Sequence, residues 1–301
     1  MSEPAASPSA PPGLKAWVLA ARPKTLPAAV APVWLGSYLG YRATDEFKVG
    51  FFLLALGSCL ALQIATNLFN DALDFKKGTD NEERIGPKRA TASGWLSPNL
   101  VMLVALGVLF VAGLLALPLL IECGWPILAI GIPSLFLCFG YTGGPFPLAY
   151  KGMGEIFVIA FFGLVAVGGT YFIQTGTWHI DAAILGLQAG FLSAVLIEIN
   201  NLRDVEGDAA SGKRTAAVRF GPSFGHTLLA IFLFGVHMLG FYWLTSGRGM
   251  AFLLPLFVLP LGIFIGLGVF RTPPSPAYNR FLALSALHLV LFTVAFTLGL
   301  K

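Results

Sequence analysis

The chain has 301 residues, of which 19 are Lys or Arg and 15 are Asp or Glu; 56% are hydrophobic and the mean hydropathy is +0.78. Soluble domains carry about a quarter charged residues, and the 11% found here excludes an ordinary soluble globule, a disordered chain and a coiled coil. The net charge of +4 in so apolar a chain points to basic loops at an anionic membrane surface and away from nucleic acid.

Residues 1–13 are rich in Pro, Ser and Ala and read as a disordered tail ahead of a single transmembrane domain over 14–301. They lack the basic start and apolar core of a secretory signal, so insertion through the first membrane helix is expected. Apolar runs long enough to cross a bilayer then follow at 25–41, 49–69, 100–121, 125–141, 156–173, 182–197, 227–244, 250–270 and 281–300. The first and fourth are short and contain Pro. The fold class expected is an all-α integral membrane protein with nine transmembrane helices.

With the N-terminal end inside, fifteen of the 19 basic residues fall on the inner face, and only Arg42, Lys48, Arg248 and Lys301 fall outside. That is the positive-inside pattern. A multi-pass protein among membrane lipids is expected, in a bacterial inner membrane, with a plastid-like membrane as the alternative. Eleven of the 15 acids share the inner face, which the positive-inside rule does not explain. A polar site is expected there.

Two helix ends carry those acids. At the end of the second run, Asn67, Asn70, Asp71 and Asp74 are spaced i, i+3, i+4, i+7 and share one helical face, with Asp80 beyond. At the end of the sixth, Asn200, Asp204 and Asp208 are spaced i, i+4, i+8. Both contain Asn-x-x-x-Asp, offset by 130 residues, and both are followed by bases: Lys88 and Arg89, then Lys213, Arg214 and Arg219. This is a weak internal repeat of the kind that faces itself across a bundle.

Facing carboxylates at a bilayer edge repel, and something cationic must offset them. Mg²⁺ fits, because it takes one or two carboxylates and completes its shell with water and substrate phosphate. The four His are scattered and the three Cys sit at no ligand spacing, so zinc, iron and a disulfide framework are not indicated. Acids, Mg²⁺ and bases at the mouth of an apolar bundle suit a diphosphate on a hydrocarbon tail. Mg²⁺ would neutralise the leaving diphosphate. A dry pocket with aromatic faces would protect an allylic cation.

The two motifs resemble those of the UbiA superfamily of intramembrane aromatic prenyltransferases, whose members carry paired Asn-x-x-x-Asp-x-x-x-Asp motifs on a nine-helix bundle. The second motif fits in full as Asn200, Asp204 and Asp208; in the first, Gly78 stands where the third acid belongs and Asp80 follows two residues later. The strings beginning at Arg22 (RPKTLPAAVAP), Asn70 (ND-x-x-DFKKG-x-D), Gly86 (GPKR), Tyr141 (YTGGP), Gly152 (G-x-GE), Asn200 (NNLRD) and Gly212 (GKRT) look like the 1,4-dihydroxy-2-naphthoate prenyltransferases.

The resemblance implies a polyprenyl or phytyl diphosphate donor, a 1,4-dihydroxy-2-naphthoate acceptor, and loss of CO₂ and diphosphate. It implies two Mg²⁺ ions bridging the diphosphate. Asn70, Asp71, Asp74, Asp80, Asn200, Asp204 and Asp208 are the expected metal set, with Asp71, Asp74, Asp204 and Asp208 catalytic. Lys88, Arg89, Lys213 and Arg214 would touch the diphosphate.

Arg22 and Lys24 are either substrate-binding or interfacial anchors. Asn67 either points at the acceptor or ties two helices. Tyr141, Tyr150 and Lys151 flank the Gly-Gly-Pro loop, and a Tyr there could orient the ring. Glu155 is expected to pair with Lys151 or Arg22, or to meet substrate. All four His read as non-catalytic, none paired with a carboxylate at ligand spacing. Donor length stays open between phytyl and polyprenyl. A 4-hydroxybenzoate-type acceptor and a cation-coupled transporter are the competing readings.

Overall fold

The computed structural model describes residues 13–80 and 85–301, so the expected tail at 1–12 and the acids at 82 and 83 lie outside the described residues. The described residues form helices joined by short loops, with no strand among them. In chain order the helices are α1 (Gly13–Ala21), α2 (Pro27–Thr44), α3 (Val49–Lys76), α4 (Pro98–Cys123) and α5 (Trp125–Gly140). Then come α6 (Gly154–Val158) and α7 (Ala166–Thr175), joined by a π-helical segment over Ile159–Val165, and α8 (Ile180–Arg203). The last six are α9 (Val205–Ala210), α10 (Ala216–Phe220), α11 (Pro222–Thr245), α12 (Gly249–Leu256), α13 (Leu259–Arg271) and α14 (Tyr278–Gly299).

Local chemistry sets these limits. Pro27, Pro98 and Pro222 open α2, α4 and α11, where a missing N–H costs nothing. Ser97 caps α4 by accepting from the Leu100 amide at 3.3 Å, and Thr215 caps α10 in the same way from Val218. Gly176 ends α7 in the left-handed region, at φ 74°.

Among the described residues, six helical stretches are long and apolar enough to cross a membrane: α3, α4, Gly154–Thr175, α8, α11 and α14. The pair α12 and α13 would make a seventh span, bent by 43° between Leu256 and Leu259, where Pro255 and Pro260 interrupt the helical hydrogen bonds. α5 is a shorter apolar helix, and α2 carries Pro32 inside and Arg42 in its last turn. All nine apolar runs expected from the sequence are therefore helical, but the count of transmembrane spans that length and apolarity support is six or seven. The sequence also failed to anticipate α1. Its buried Ala16 and Ala20 face the bundle, Ala20 within the α3 packing cluster, while Leu14 and Val18 stay exposed.

The core is aliphatic and aromatic. Leu185, Leu192, Val236, Trp243, Leu289 and Phe296 knit α8, α11 and α14 together. Outward faces carry Leu103, Phe110, Phe136 and Phe257 in the open, a belt suited to lipid. At the α8 end opposite the acidic motif, Arg248 binds Asp181 through both terminal nitrogens (2.7 and 2.9 Å), and Tyr242 donates to the same carboxylate at 2.5 Å. His179 caps the start of α8 and lies 3.2 Å from Asp181.

α8 meets the π-helical segment backbone to backbone. A Cβ at Gly190 would lie 2.9 Å from the Ile159 carbonyl oxygen and 3.0 Å from its Cα, a contact only glycine tolerates. Gly190→Val should therefore destabilise the folded protein by about 1–3 kcal/mol. Thermal unfolding in detergent would show this as a lower Tm, whereas a similar change at exposed Leu103 should leave Tm unchanged.

Candidate active site

The two acidic helix ends meet at one end of the bundle. α3 carries the first across about 42 Å of helix, and α8 carries the second across about 36 Å. Asp74 and Asp204 both act electrostatically on Asp208, so the three carboxylates share one site.

Each acid has a different partner. Tyr150 donates its hydroxyl to Asp74 Oδ1 at 2.8 Å, which leaves Thr79 Oγ1, 2.7 Å away, to donate to Tyr150. Lys77 sits 4.0 Å over the Tyr150 ring and donates to the Thr142 carbonyl at 2.5 Å. Partial burial pulls the Lys77 ammonium below its ordinary range, against the opposing pull of Asp74. Arg203 binds Asp204 through two nitrogens, at 2.8 and 2.7 Å. Lys213 lies 3.2 Å from Asp208 Oδ1. Asp208 is only 3% exposed, and burial raises its pKa although Lys213 opposes the rise. Its Oδ2 has no hydrogen-bond partner.

The asparagines line the cavity between these ends. Thr142 donates to Asn70 Oδ1, and Asn200 donates to the Leu196 carbonyl at 3.0 Å. Asn67 donates to the Ala21 carbonyl at 2.9 Å and to Thr25 at 3.0 Å, so it ties α3 to the turn after α1. Arg22 occupies that turn in the left-handed region, at φ 53°. The cavity has a volume of about 340 Å³. Asn67, Asn70, Tyr141 and Asn200 line its polar end; Leu62, Leu137, Phe157, Phe161, Phe162, Val165 and Ile173 line the rest. The pKa of Tyr141 is raised by burial first and then by Glu155, Asp74 and Asp208.

Three expectations need correction. Asp71 was expected to bind metal, yet its carboxylate accepts from the Ala90 amide (3.2 Å), the Thr91 amide (3.1 Å) and the Thr91 hydroxyl. It anchors the loop that follows α3. Asp80 and Arg89, expected at metal and diphosphate respectively, form an ion pair at 3.1 Å. Glu155 pairs with neither Lys151 nor Arg22; Asn201 donates to its Oε1 at 2.6 Å, and Glu198 lies against it. The reason is burial: both glutamates are enclosed, while Lys151 is exposed with its ammonium 5.1 Å over the Phe146 ring. Lys24, Lys88 and Arg214 are likewise exposed. Thr91 and Thr142 hold the motifs but carried no signal in the sequence, since each depends on a loop returning to a helix end.

Among the described residues no three His, Cys, Asp or Glu side chains enclose an ion unaided. The partnerless Asp208 oxygen and the cavity asparagines are hard donors suited to Mg²⁺.

The profile of the UbiA prenyltransferase family matches residues 29–298. The chain belongs to this family. It is 35% identical over 298 residues to 1,4-dihydroxy-2-naphthoate octaprenyltransferase of Haemophilus influenzae, covering 95% of this chain and 96% of that protein. It is 36% identical over 211 residues to the enzyme of the same name from Bacillus subtilis, covering 69% and 67%. In fold it is similar to a UbiA homologue from Archaeoglobus fulgidus bound to DMAPP and Mg²⁺, with a TM-score of 0.61, 17% identity, and 93% and 98% of the two chains covered. The chain is thus a UbiA-family prenyltransferase, all-helical and multi-pass.

Asp71→Ala should strand the Ala90 and Thr91 amides without an acceptor. It should cost about 1–3 kcal/mol and speed proteolysis within 85–96. Limited digestion with mass-spectrometric mapping would show whether that loop is the first to be cut.

Proposed function

We propose that the protein transfers a polyprenyl or phytyl group from its diphosphate to 1,4-dihydroxy-2-naphthoate, releasing CO₂ and diphosphate. The observation that carries this reading is an apolar cavity whose polar end, at Asn70, Tyr141 and Asn200, adjoins the carboxylates of Asp74 and Asp208. The names of the relatives support the acceptor. Asn70, Asp74, Asn200, Asp204 and Asp208 would hold Mg²⁺, which would supply Lewis-acid neutralisation of the leaving diphosphate; two ions are proposed.

The chain's own groups do the rest. Tyr150 holds Asp74 by its hydroxyl, and Lys213 stays beside Asp208 within reach of phosphate oxygen. Lys24, Lys88 and Arg214 are exposed bases that would draw in anionic substrates. Leu137, Phe157, Phe161 and Phe162 hold the tail, exclude water and present aromatic faces to allylic positive charge. Tyr141 stands at the junction of the tail cavity and the acids, placed to orient the ring.

The electrons balance without a base. The allylic C–O bond breaks with its pair on the diphosphate, the ring carbon forms the new C–C bond, and loss of CO₂ returns a pair to the ring. One carboxylate and one diphosphate ester become CO₂ and free diphosphate with no net proton.

We further propose nine membrane crossings: α2, α3, α4, α5, Gly154–Thr175, α8, α11, the bent pair α12–α13, and α14. The domain over 14–301 would sit in a bacterial inner membrane with its acidic site facing the cytoplasm, as the distribution of bases supports.

The test is an assay in membranes with 1,4-dihydroxy-2-naphthoate, a panel of prenyl diphosphates including phytyl, and Mg²⁺ or EDTA. Prenylated product with CO₂ release only in Mg²⁺ is expected. Asp74→Ala and Asp204→Ala should each lower turnover by at least about 100-fold while the protein remains folded. Turnover with 4-hydroxybenzoate alone would move the acceptor assignment, and normal turnover by both variants would remove the metal–diphosphate assignment.

A further inference from the structure

Gln63 belongs to no sequence motif, yet it lines the cavity two turns of α3 inward from Asn70. Gln63, Asn67 and Asn70 are spaced i, i+4, i+7 and share one helical face. Along the helix, Gln63 lies about 10 Å deeper than Asn70.

The hydrogen bonds around Gln63 leave its amide one orientation. Asn67 Nδ2 donates to the Ala21 carbonyl at 2.9 Å, and a carbonyl can only accept, so Asn67 Oδ1 is the acceptor of that side chain. Thr25 spends its hydroxyl hydrogen on the Arg22 carbonyl at 3.0 Å, which leaves its oxygen as an acceptor. Gln63 meets both of these acceptors, Thr25 Oγ1 at 3.2 Å and Asn67 Oδ1 at 3.3 Å, so Nε2 must be the atom that faces them. Both hydrogens of the Gln63 amide are thereby used. Its Oε1 has no hydrogen-bond partner, in a residue only 8% exposed.

A buried acceptor without a donor is costly. Flipping the amide gives no relief, because it would set Oε1 against two acceptors. The other Ser and Thr hydroxyls of the cavity give none either. Ser58, Thr66, Ser134, Thr170 and Ser193 each donate to a backbone carbonyl. The missing hydrogen has to come from what fills the cavity.

The two substrates differ in what they can bring. A prenyl tail is hydrocarbon, and its diphosphate offers oxygen acceptors. An aromatic acceptor carries hydroxyl donors. In 1,4-dihydroxy-2-naphthoate the 1-hydroxyl lies ortho to the carboxylate and bonds to it internally, so the 4-hydroxyl is the one free to donate outward.

We propose that Gln63 is the specificity-determining residue for the aromatic acceptor, its Oε1 accepting the hydrogen bond of the 4-hydroxyl while Thr25 and Asn67 hold the amide in place. The proposal rests on the acceptor reading given above and deepens it. It puts the ring along the α3 face at Gln63 and leaves Phe157 and Phe161 of the opposite motif-free span to the tail. It also gives the Asn67 tie a purpose in recognition, since that tie fixes which atom of Gln63 is left open.

The test uses the full chain in detergent or nanodiscs under anaerobic conditions. The probes are 1,4-dihydroxy-2-naphthoate and 1-hydroxy-2-naphthoate, which keeps the ring and carboxylate and lacks the 4-hydroxyl. Titration calorimetry on the wild type should show the second binding about 10-fold or more weakly than the first. In Gln63→Met, of similar length and without an acceptor, the two should bind alike, because only the dihydroxy compound loses affinity. The KM for prenyl diphosphate should stay at the wild-type value. Equal affinity of the two naphthoates for the wild type would overturn the proposal, whether or not the variant folds. So would the wild-type ratio persisting in folded Gln63→Met. A wild type that prenylates 1,4-dihydroxy-2-naphthoate but ignores the 4-hydroxyl overturns this proposal alone. A wild type that neither binds nor prenylates it overturns the acceptor reading, and this proposal with it.

Discussion

Three carboxylates must share the region beside the polar end of an apolar cavity. Asp74 and Asp204 repel Asp208, and burial makes the Asp208 charge harder to carry. The protein answers with three different partners: a phenol at Asp74, a guanidinium at Asp204, an ammonium at Asp208. The compensation is partial. Tyr150 brings no positive charge, and one oxygen of Asp208 has no hydrogen-bond partner. What remains is an anionic, oxygen-rich pocket of the kind that accepts a cation carrying its own phosphate.

Much of the rest of that end of the bundle serves to hold the acids in place. The loop after α3 returns to Asp71, where two amides and a hydroxyl grip the carboxylate. The loop after α5 returns through Thr142 to Asn70 and through Tyr150 to Asp74. α14 reaches in through Asn279. These are side chain to backbone or side chain to side chain bonds between elements far apart in sequence, shielded from water, where an unmet donor is costly. At the opposite end of α8 the polar residues form a closed set around Asp181.

The wall of the cavity shows a second compromise. The π-helical segment over Ile159–Val165 interrupts the span Gly154–Thr175 where it lies against Gly186 and Gly190 of α8. π-helical turns are uncommon and tend to mark functional positions. Here the segment sends Phe161, Phe162 and Val165 all to the cavity. Phe157 and Phe161 stack with centroids 6.2 Å apart, giving the tail a continuous aromatic flank.

The sequence by itself determined the helical character, the runs that become helices, and the two acidic faces. Those features are local: apolar runs and 3.6-residue spacing are written in consecutive residues. It also fixed which end of each helix bears charge, since Asn70/Asp74 and Asn200/Asp204 repeat the same spacing. Only the tertiary structure decided what each acid does. Asp71 and Asp74 look alike on one helical face, yet Asp71 meets Ala90 and Thr91 while Asp74 meets Tyr150. Arg203 reads as one more base beside an acid until the break after α8 turns it onto Asp204 and α14 supplies Asn279. The physical reason is that the worth of a charge depends on its desolvation and on donors brought in from distant chain, and neither is encoded in spacing.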